Sequence, residues 1–184
     1  MKKLLTLSIA AVAVVVTGFV QPAAAETLRV GMECTYAPFN FRNADGDLDG
    51  YDVDVARAVG GLIGADLEVV CQKWDGMIPA LLANKFDIVV ASMSITDKRL
   101  EKMDFSDTYR ISVGRLVGKK NAGWKLFDSA DKPIPANFKG LKVGLERATT
   151  YPDWFENELP GAEVVLYDSN EALYLDLVNG RTDM

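Results

Sequence analysis

The 184 residues include no histidine. That absence excludes a Ser-His-Asp triad, a Cys-His nucleophile pair and any histidine-ligated metal from the chemistry of this chain. Basic runs are missing too. With 26 acidic against 20 basic residues the net charge is −6, a balance that argues against nucleic acid as a partner. The acidic stretch Asn43 to Gly50, NADGDLDG, suggests an EF-hand loop. No glutamate follows at the required spacing, so it reads as a solvated hairpin, and neither a metal nor a cofactor is expected.

One long apolar run is present, from Leu4 to Val20. Lys2 and Lys3 precede it and Ala23, Ala24 and Ala25 follow. A charged start, an apolar centre and small residues at the end describe a secretory signal peptide over 1–25, cleaved after Ala25. A membrane anchor is the lesser reading, because polar, mixed sequence begins at Glu26. Export bears on the only two cysteines, Cys34 and Cys71. Each follows a predicted strand, and neighbouring parallel strands would bring them together as a disulfide in an oxidising compartment. Two buried free thiols are the alternative.

Beyond Glu26, apolar strands alternate with helical segments: strand 28–32, helix 52–63, strand 67–71, helix 75–82, strand 87–91. This alternation predicts an α/β fold with a parallel sheet. Asp52 is placed to cap the first helix, Val55, Val59 and Leu62 fall on one of its faces, and Gly64 follows its end. In open parallel sheets ligands bind beyond the carboxyl ends of the strands. There stand Glu33, Thr35, Tyr36 and Phe39 after the first strand, Trp74 and Asp75 after the second, and Ser92 to Arg99, SMSITDKR, after the third. Thr96 can cap a short helix there, so that Ser92, Ser94, free backbone N–H groups and the planar fork of Arg99 gather as a carboxylate clamp. A solvated loop with Arg99 paired to Asp97 or Glu101 is the competing reading. An anion clamp, an aromatic wall of Tyr36 and Trp74, and carboxylates at Glu33 and Asp52 would together suit a zwitterion such as an amino acid.

Residues 109–117 read as a further strand, and 119–139, rich in Gly, Pro, Asn and Asp, as a connection. Then LKVGLE at 141–146 echoes LRVGME at 28–33, and Thr149, Thr150, Tyr151 and Pro152 echo Thr35, Tyr36 and Pro38. Helix 152–158, strand 162–166 and helix 170–178 continue the same plan. Residues 179–184 correspond to 84–88, the approach to the third strand. The expected organisation is a first lobe over 26–115, carrying most of the ligand contacts, and a hinge with an incomplete second lobe over 116–184.

Five motifs in order carry a family resemblance: LRVGMECTYAPFNF at 28–41, GDLDGYDVD at 46–54, WDGMIPAL at 74–81, FDIVVASMSITDKR at 86–99 and KGLKVGLERATT at 139–150. Together they resemble the periplasmic solute-binding proteins of polar amino acid ABC transporters, the family 3 type. The resemblance implies a periplasmic binding protein-like fold of two Rossmann-like lobes joined by a hinge. It implies a periplasmic monomer that closes on an L-amino acid and delivers it to a membrane permease. By position, Arg99 would bind the α-carboxylate with Ser92, Ser94 and the backbone near Thr149 and Thr150. Tyr36 and Trp74 would sandwich the side chain, Glu33 and Asp52 would lie near its far end, and the aspartate that holds the α-amino group would fall beyond Met184. Trp74 with Glu33 is similar to relatives that take arginine-like ligands or opines. Cys34, Ala91, Glu146, Arg147 and Tyr151 depart from the usual residues, and Glu33 paired with Arg147 across the cleft would instead favour a smaller neutral or acidic ligand. The same scaffold carries enzymes resembling cyclohexadienyl dehydratase, for which Glu33 or Glu146 would serve as acid or base. A sensor module feeding a membrane kinase is a third reading.

Overall fold

The computed structural model describes residues 26–184, so the signal-peptide reading of 1–25 lies outside the described residues. In the first lobe β1 (Thr27–Met32) runs down the middle of a three-stranded parallel sheet. The hairpin strands β2 (Thr35–Tyr36), β3 (Asn40–Arg42) and β4 (Leu48–Asp49) form a small antiparallel sheet, so the acidic stretch is a hairpin turn. Helix α1 (Tyr51–Ile63) leads into β5 (Asp66–Cys71), which pairs with β1 from Thr27↔Asp66 to Met32↔Cys71. A 3-10 turn at Trp74–Gly76 and helix α2 (Met77–Leu82) precede β6 (Ile88–Val89), and α3 (Asp97–Leu100) follows. Val30, Met32, Val53, Ala56 and Val90 form the core between β1 and α1. Gly31 is required by its neighbour: a Cβ there would lie 2.6 Å from the buried Phe86 ring.

The second lobe repeats this plan. β7 (Lys142–Glu146), α4 (Tyr151–Glu158), β8 (Glu163–Tyr167) and α5 (Asn170–Val178) form a parallel βαβα unit with register Lys142↔Glu163. Phe138, Val143, Leu145, Phe155, Leu159 and Met184 fill its core. The repeat extends to single hydrogen bonds. The backbone N–H of Arg29 donates to Asp87 Oδ2 at 2.9 Å and that of Lys142 to Asp183 Oδ2 at 2.8 Å. The Gly144 N–H donates to the Met184 carbonyl at 2.8 Å, which puts Met184 beside β7 where Ile88 lies beside β1.

Four expectations need correction. Asp52 does not cap α1: Gly50 holds the cap position without a side-chain bond, and Asp52 turns inward, fully buried. Leu62 is 87% exposed, because it lies nine residues and about two and a half turns from the buried Val53. Only Ile88–Val89 of the predicted strand 87–91 enters the ladder. Residues 109–117 form no strand, and Ile111 and Val113 stand exposed. A strand needs a hydrogen-bonding neighbour, and among the described residues none lies alongside this segment. Gly64 does end α1, in the left-handed conformation at φ 70°. Residues 119–139 connect the lobes through a bridge between Phe127 and Pro133 and a 3-10 turn at Pro135–Phe138.

Candidate functional site

The ends of β1, β5, β6 and β7 converge between the lobes. Cys34, two residues past β1, is disulfide-bonded to Cys71 at the end of β5, with Cα atoms 5.6 Å apart. The parallel pairing of Met32 with Cys71 brings the two sulfurs together, and the free-thiol alternative is excluded.

Arg99 sits in α3, whose Thr96 cap accepts a hydrogen bond from the Arg99 N–H. Its guanidinium is buried, donating from Nη1 to the Ser94 carbonyl at 2.7 Å and from Nη2 to the Ala148 carbonyl of the second lobe at 3.1 Å. It lies 5.6 Å from the Trp74 ring centroid, and Trp74 Nε1 donates to the same Ala148 carbonyl at 3.1 Å. One carbonyl of the second lobe thus receives two donors of the first. Ala148 reaches that position with φ 58°, a left-handed conformation uncommon for alanine. Arg99 forms no ion pair with Asp97 or Glu101. Burial draws its pKa below the ordinary arginine value.

Asp52 and Ser92 belong to a different cluster. Asp52 Oδ1 accepts from Ser92 Oγ at 2.7 Å and from the Tyr109 hydroxyl at 3.0 Å, while Oδ2 accepts from Asn40 Nδ2 at 2.8 Å. Asn40 Oδ1 in turn accepts from the N–H groups of Glu33 and Cys34. The Ser92 N–H donates to the Tyr109 oxygen at 2.7 Å. Arg110 Nε donates to Ser92 Oγ, and its guanidinium lies 4.0 Å from the Phe39 ring centroid. Phe39 packs against Tyr36, their ring centroids 4.8 Å apart. Burial and the Asp52 charge push the Tyr109 hydroxyl up to about 12. This network ties the loops after β1 and β6 to α1, so Asp52 and Ser92 act as its hub. Asn40, Tyr109 and Arg110 are absent from the residues singled out by sequence, where nothing distinguishes an asparagine in a short strand or a tyrosine in an apparent one.

The third cluster joins the lobes directly. Glu33, after β1, and Glu146, at the end of β7, are both buried and lie close enough that each carboxyl shifts the other. Thr35 Oγ1 donates to Glu33 Oε1 at 3.2 Å and Asn170 Nδ2 to Glu146 Oε2 at 2.8 Å. Glu146 Oε1 is buried and receives no N–H or hydroxyl donor. Burial, then the charge of Glu33, raises the Glu146 pKa to about 8; burial raises that of Glu33 as well. The alternative pairing of Glu33 with Arg147 does not occur. Arg147 Nε bonds Asp168 at 2.9 Å on the exposed side of β7.

Thr149 Oγ1 donates to the Glu146 carbonyl at 2.8 Å, fixing the loop that carries Ala148. Thr150 occupies the cap position of α4 without a side-chain bond. Tyr36 is half-buried beside this cleft, with burial raising its pKa. The structure therefore brings Arg99, Ser94, Trp74 and the 146–150 loop into one contact set and Glu33 into a second. It holds Asp52 and Ser92 in the supporting network.

Residues 28–181 match the model of bacterial extracellular solute-binding proteins, family 3. The L-cystine-binding protein TcyJ of Escherichia coli K12 is 38% identical over 158 residues, covering 85% of this chain and 57% of that protein. An L-arginine-binding protein of Pseudomonas aeruginosa is 38% identical over 185 aligned positions, covering 100% of this chain and 68% of that protein. The chain thus spans between about half and two thirds of these relatives. Among solved structures, the ancestral amino acid-binding protein AncCDT-1, a precursor of cyclohexadienyl dehydratase, superposes with a TM-score of 0.76 at 37% identity, covering 85% of this chain and 67% of that one. Two βαβ lobes built on one repeated plan, strand ends converging between them and a family match running from β1 past α5 agree: the chain belongs to the bacterial extracellular solute-binding proteins, family 3.

Proposed function

We propose that this chain is the substrate-binding component of an amino acid ABC transporter. In this reading it is exported by cleavage after Ala25, acts as a monomer in the periplasm, takes a cationic or guanidino L-amino acid or opine between its lobes, and delivers it to a membrane permease. The observation that carries the reading is the buried Arg99 guanidinium, which spans the cleft to the Ala148 carbonyl. A ligand carboxylate would replace neutral carbonyls as its acceptor. Charge-assisted bonds of this kind contribute about 1.5–3 kcal/mol each, more than the neutral contacts they displace. Because Arg99 and Trp74 already bridge to the second lobe, a carboxylate seated there would draw on both lobes and favour closure. The L-arginine-binding relative and the acidic pair Glu33 and Glu146 support a cationic side chain over a neutral one.

Calorimetry with arginine, lysine, ornithine, histidine and octopine is the test. Micromolar or tighter binding is expected for at least one of them, with Arg99→Ala reducing it below detection. Retained affinity in Arg99→Ala would overturn the carboxylate clamp.

A dehydratase-like activity is the second reading. It is favoured by the AncCDT-1 likeness and by a buried Glu146 that keeps its proton at neutral pH, as a general acid must. Release of an aromatic product from prephenate or arogenate would replace the transport reading with this one.

A further inference from the structure

Glu33 and Glu146 hold two buried carboxyl groups close together across the cleft, each fixed by one neutral donor, Thr35 and Asn170, and α5, which starts at Asn170, packs against β2, which starts at Thr35. The remaining oxygen of Glu146 is buried and receives no hydrogen bond. Two carboxylates this close and out of water cannot both stay charged, so the pair holds one proton when nothing else neutralises it. Among the described residues neither carboxylate forms an ion pair. The charges acting on the pair from the 3-10 turn and from α5 are those of Asp75 and Glu171, both acidic. Arg147 beside them is engaged by Asp168, Arg99 by the Ser94 and Ala148 carbonyls, and Arg110 by Ser92.

We propose that Glu33 and Glu146 form a divided cation seat, one carboxylate from each lobe, in which the cationic end of the ligand replaces the shared proton. The proposal rests on the amino acid-binding reading above and adds to it Glu146 as a specificity-determining residue, together with a coupling between binding and proton release. A guanidinium presents several N–H donors in a plane and can face both carboxylates at once, and each carboxylate ionises fully only when it does. One proton then leaves to solvent for each cation seated. A neutral side chain would leave the proton in place and gain nothing from Glu146.

The test uses the full-length protein. Titration calorimetry with arginine at pH 6.5, in buffers of differing ionisation enthalpy, should show about one proton released per arginine, and affinity should rise about tenfold per pH unit up to about pH 8. Glutamine, shorter and neutral, should bind more weakly with no proton release. Glu146→Gln should keep the fold by circular dichroism, abolish the proton release and flatten the pH profile for arginine. Carboxyl-carbon NMR of the unliganded protein provides a readout independent of binding. One of the two glutamates should titrate near pH 8, and two ordinary midpoints would overturn the shared proton. Arginine binding without proton release, or glutamine binding in an Arg99-dependent way while arginine does not bind, would overturn the seat and leave the amino acid-binding reading standing. Failure of every amino acid to bind would overturn both.

Discussion

Replacing Asp52 should cost far more than a surface helix residue would. Its carboxylate is fully buried and accepts three hydrogen bonds, from Ser92 Oγ, the Tyr109 hydroxyl and Asn40 Nδ2. Asp52→Ala leaves one buried donor, the Asn40 amide, and two partly buried hydroxyls, of Ser92 and Tyr109, without their acceptor. With each unmet donor costing about 1–3 kcal/mol and water able to repair part of the damage, a loss of about 3–5 kcal/mol is expected. That is a large fraction of the stability of an ordinary domain. The isosteric Asp52→Asn is the sharper experiment. An amide retains one acceptor, which can serve Ser92 and Tyr109, but it then aims an NH2 group at the NH2 group of Asn40. Asn40 cannot turn over to correct this, because its own oxygen already accepts from the Glu33 and Cys34 backbone. Asp52→Asn should therefore lose about 1–3 kcal/mol in spite of its shape. Urea unfolding followed by circular dichroism measures both. Losses below about 0.5 kcal/mol for the two variants would refute the network as a source of stability.

Two other predictions follow from the same geometry. Replacing both Cys34 and Cys71 by serine opens a loop spanning a sequence separation of 37 and should lower stability by about 4 kcal/mol on chain-entropy grounds, read as a fall in Tm; an unchanged Tm would contradict it. Glu146 has a folded-state pKa raised to about 8 from an ordinary 4.5, so its contribution to stability is fully present below about pH 4.5 and is lost as pH rises through about 8, at most about 5 kcal/mol across that window. The urea midpoint should fall over that range and should be flatter in Glu146→Gln; parallel profiles would count against the assignment.

The elements legible in the sequence are those whose signal is local. β1, β5, β7 and β8 are short, largely apolar runs, α1 closes on Gly64, and each falls within a residue or two of its predicted place. The repeat LRVGME and LKVGLE also holds in three dimensions, down to the paired contacts of Asp87 and Asp183. Residues 109–117 have the local composition of a strand yet form none, since pairing depends on a neighbour elsewhere in the chain.

The site divides along the same line. Arg99 could be singled out because a strand end, a threonine cap and an arginine lie within a dozen residues, and the cap forms with that threonine. Asp52 reads as a helix cap because an aspartate in a first helical turn has a local explanation, while its real partners lie 12, 40 and 57 residues away. Glu146 stands out in sequence as a departure from the family pattern and as a candidate acid or base; its pairing depends on Glu33, 113 positions earlier, arriving from the opposite lobe. Residues whose partners lie far along the chain are therefore the ones sequence conveys least, and those that join the lobes, Trp74, Arg99, Ala148 and Glu146 among them, are the ones on which the proposed closure would act. A contact formed between lobes contributes its free energy only when the lobes are together, so in the proposed function a change at Glu146 or Ala148 would alter the closing equilibrium directly. A change at Asn40 or Tyr109 reaches it only through the stability of the first lobe.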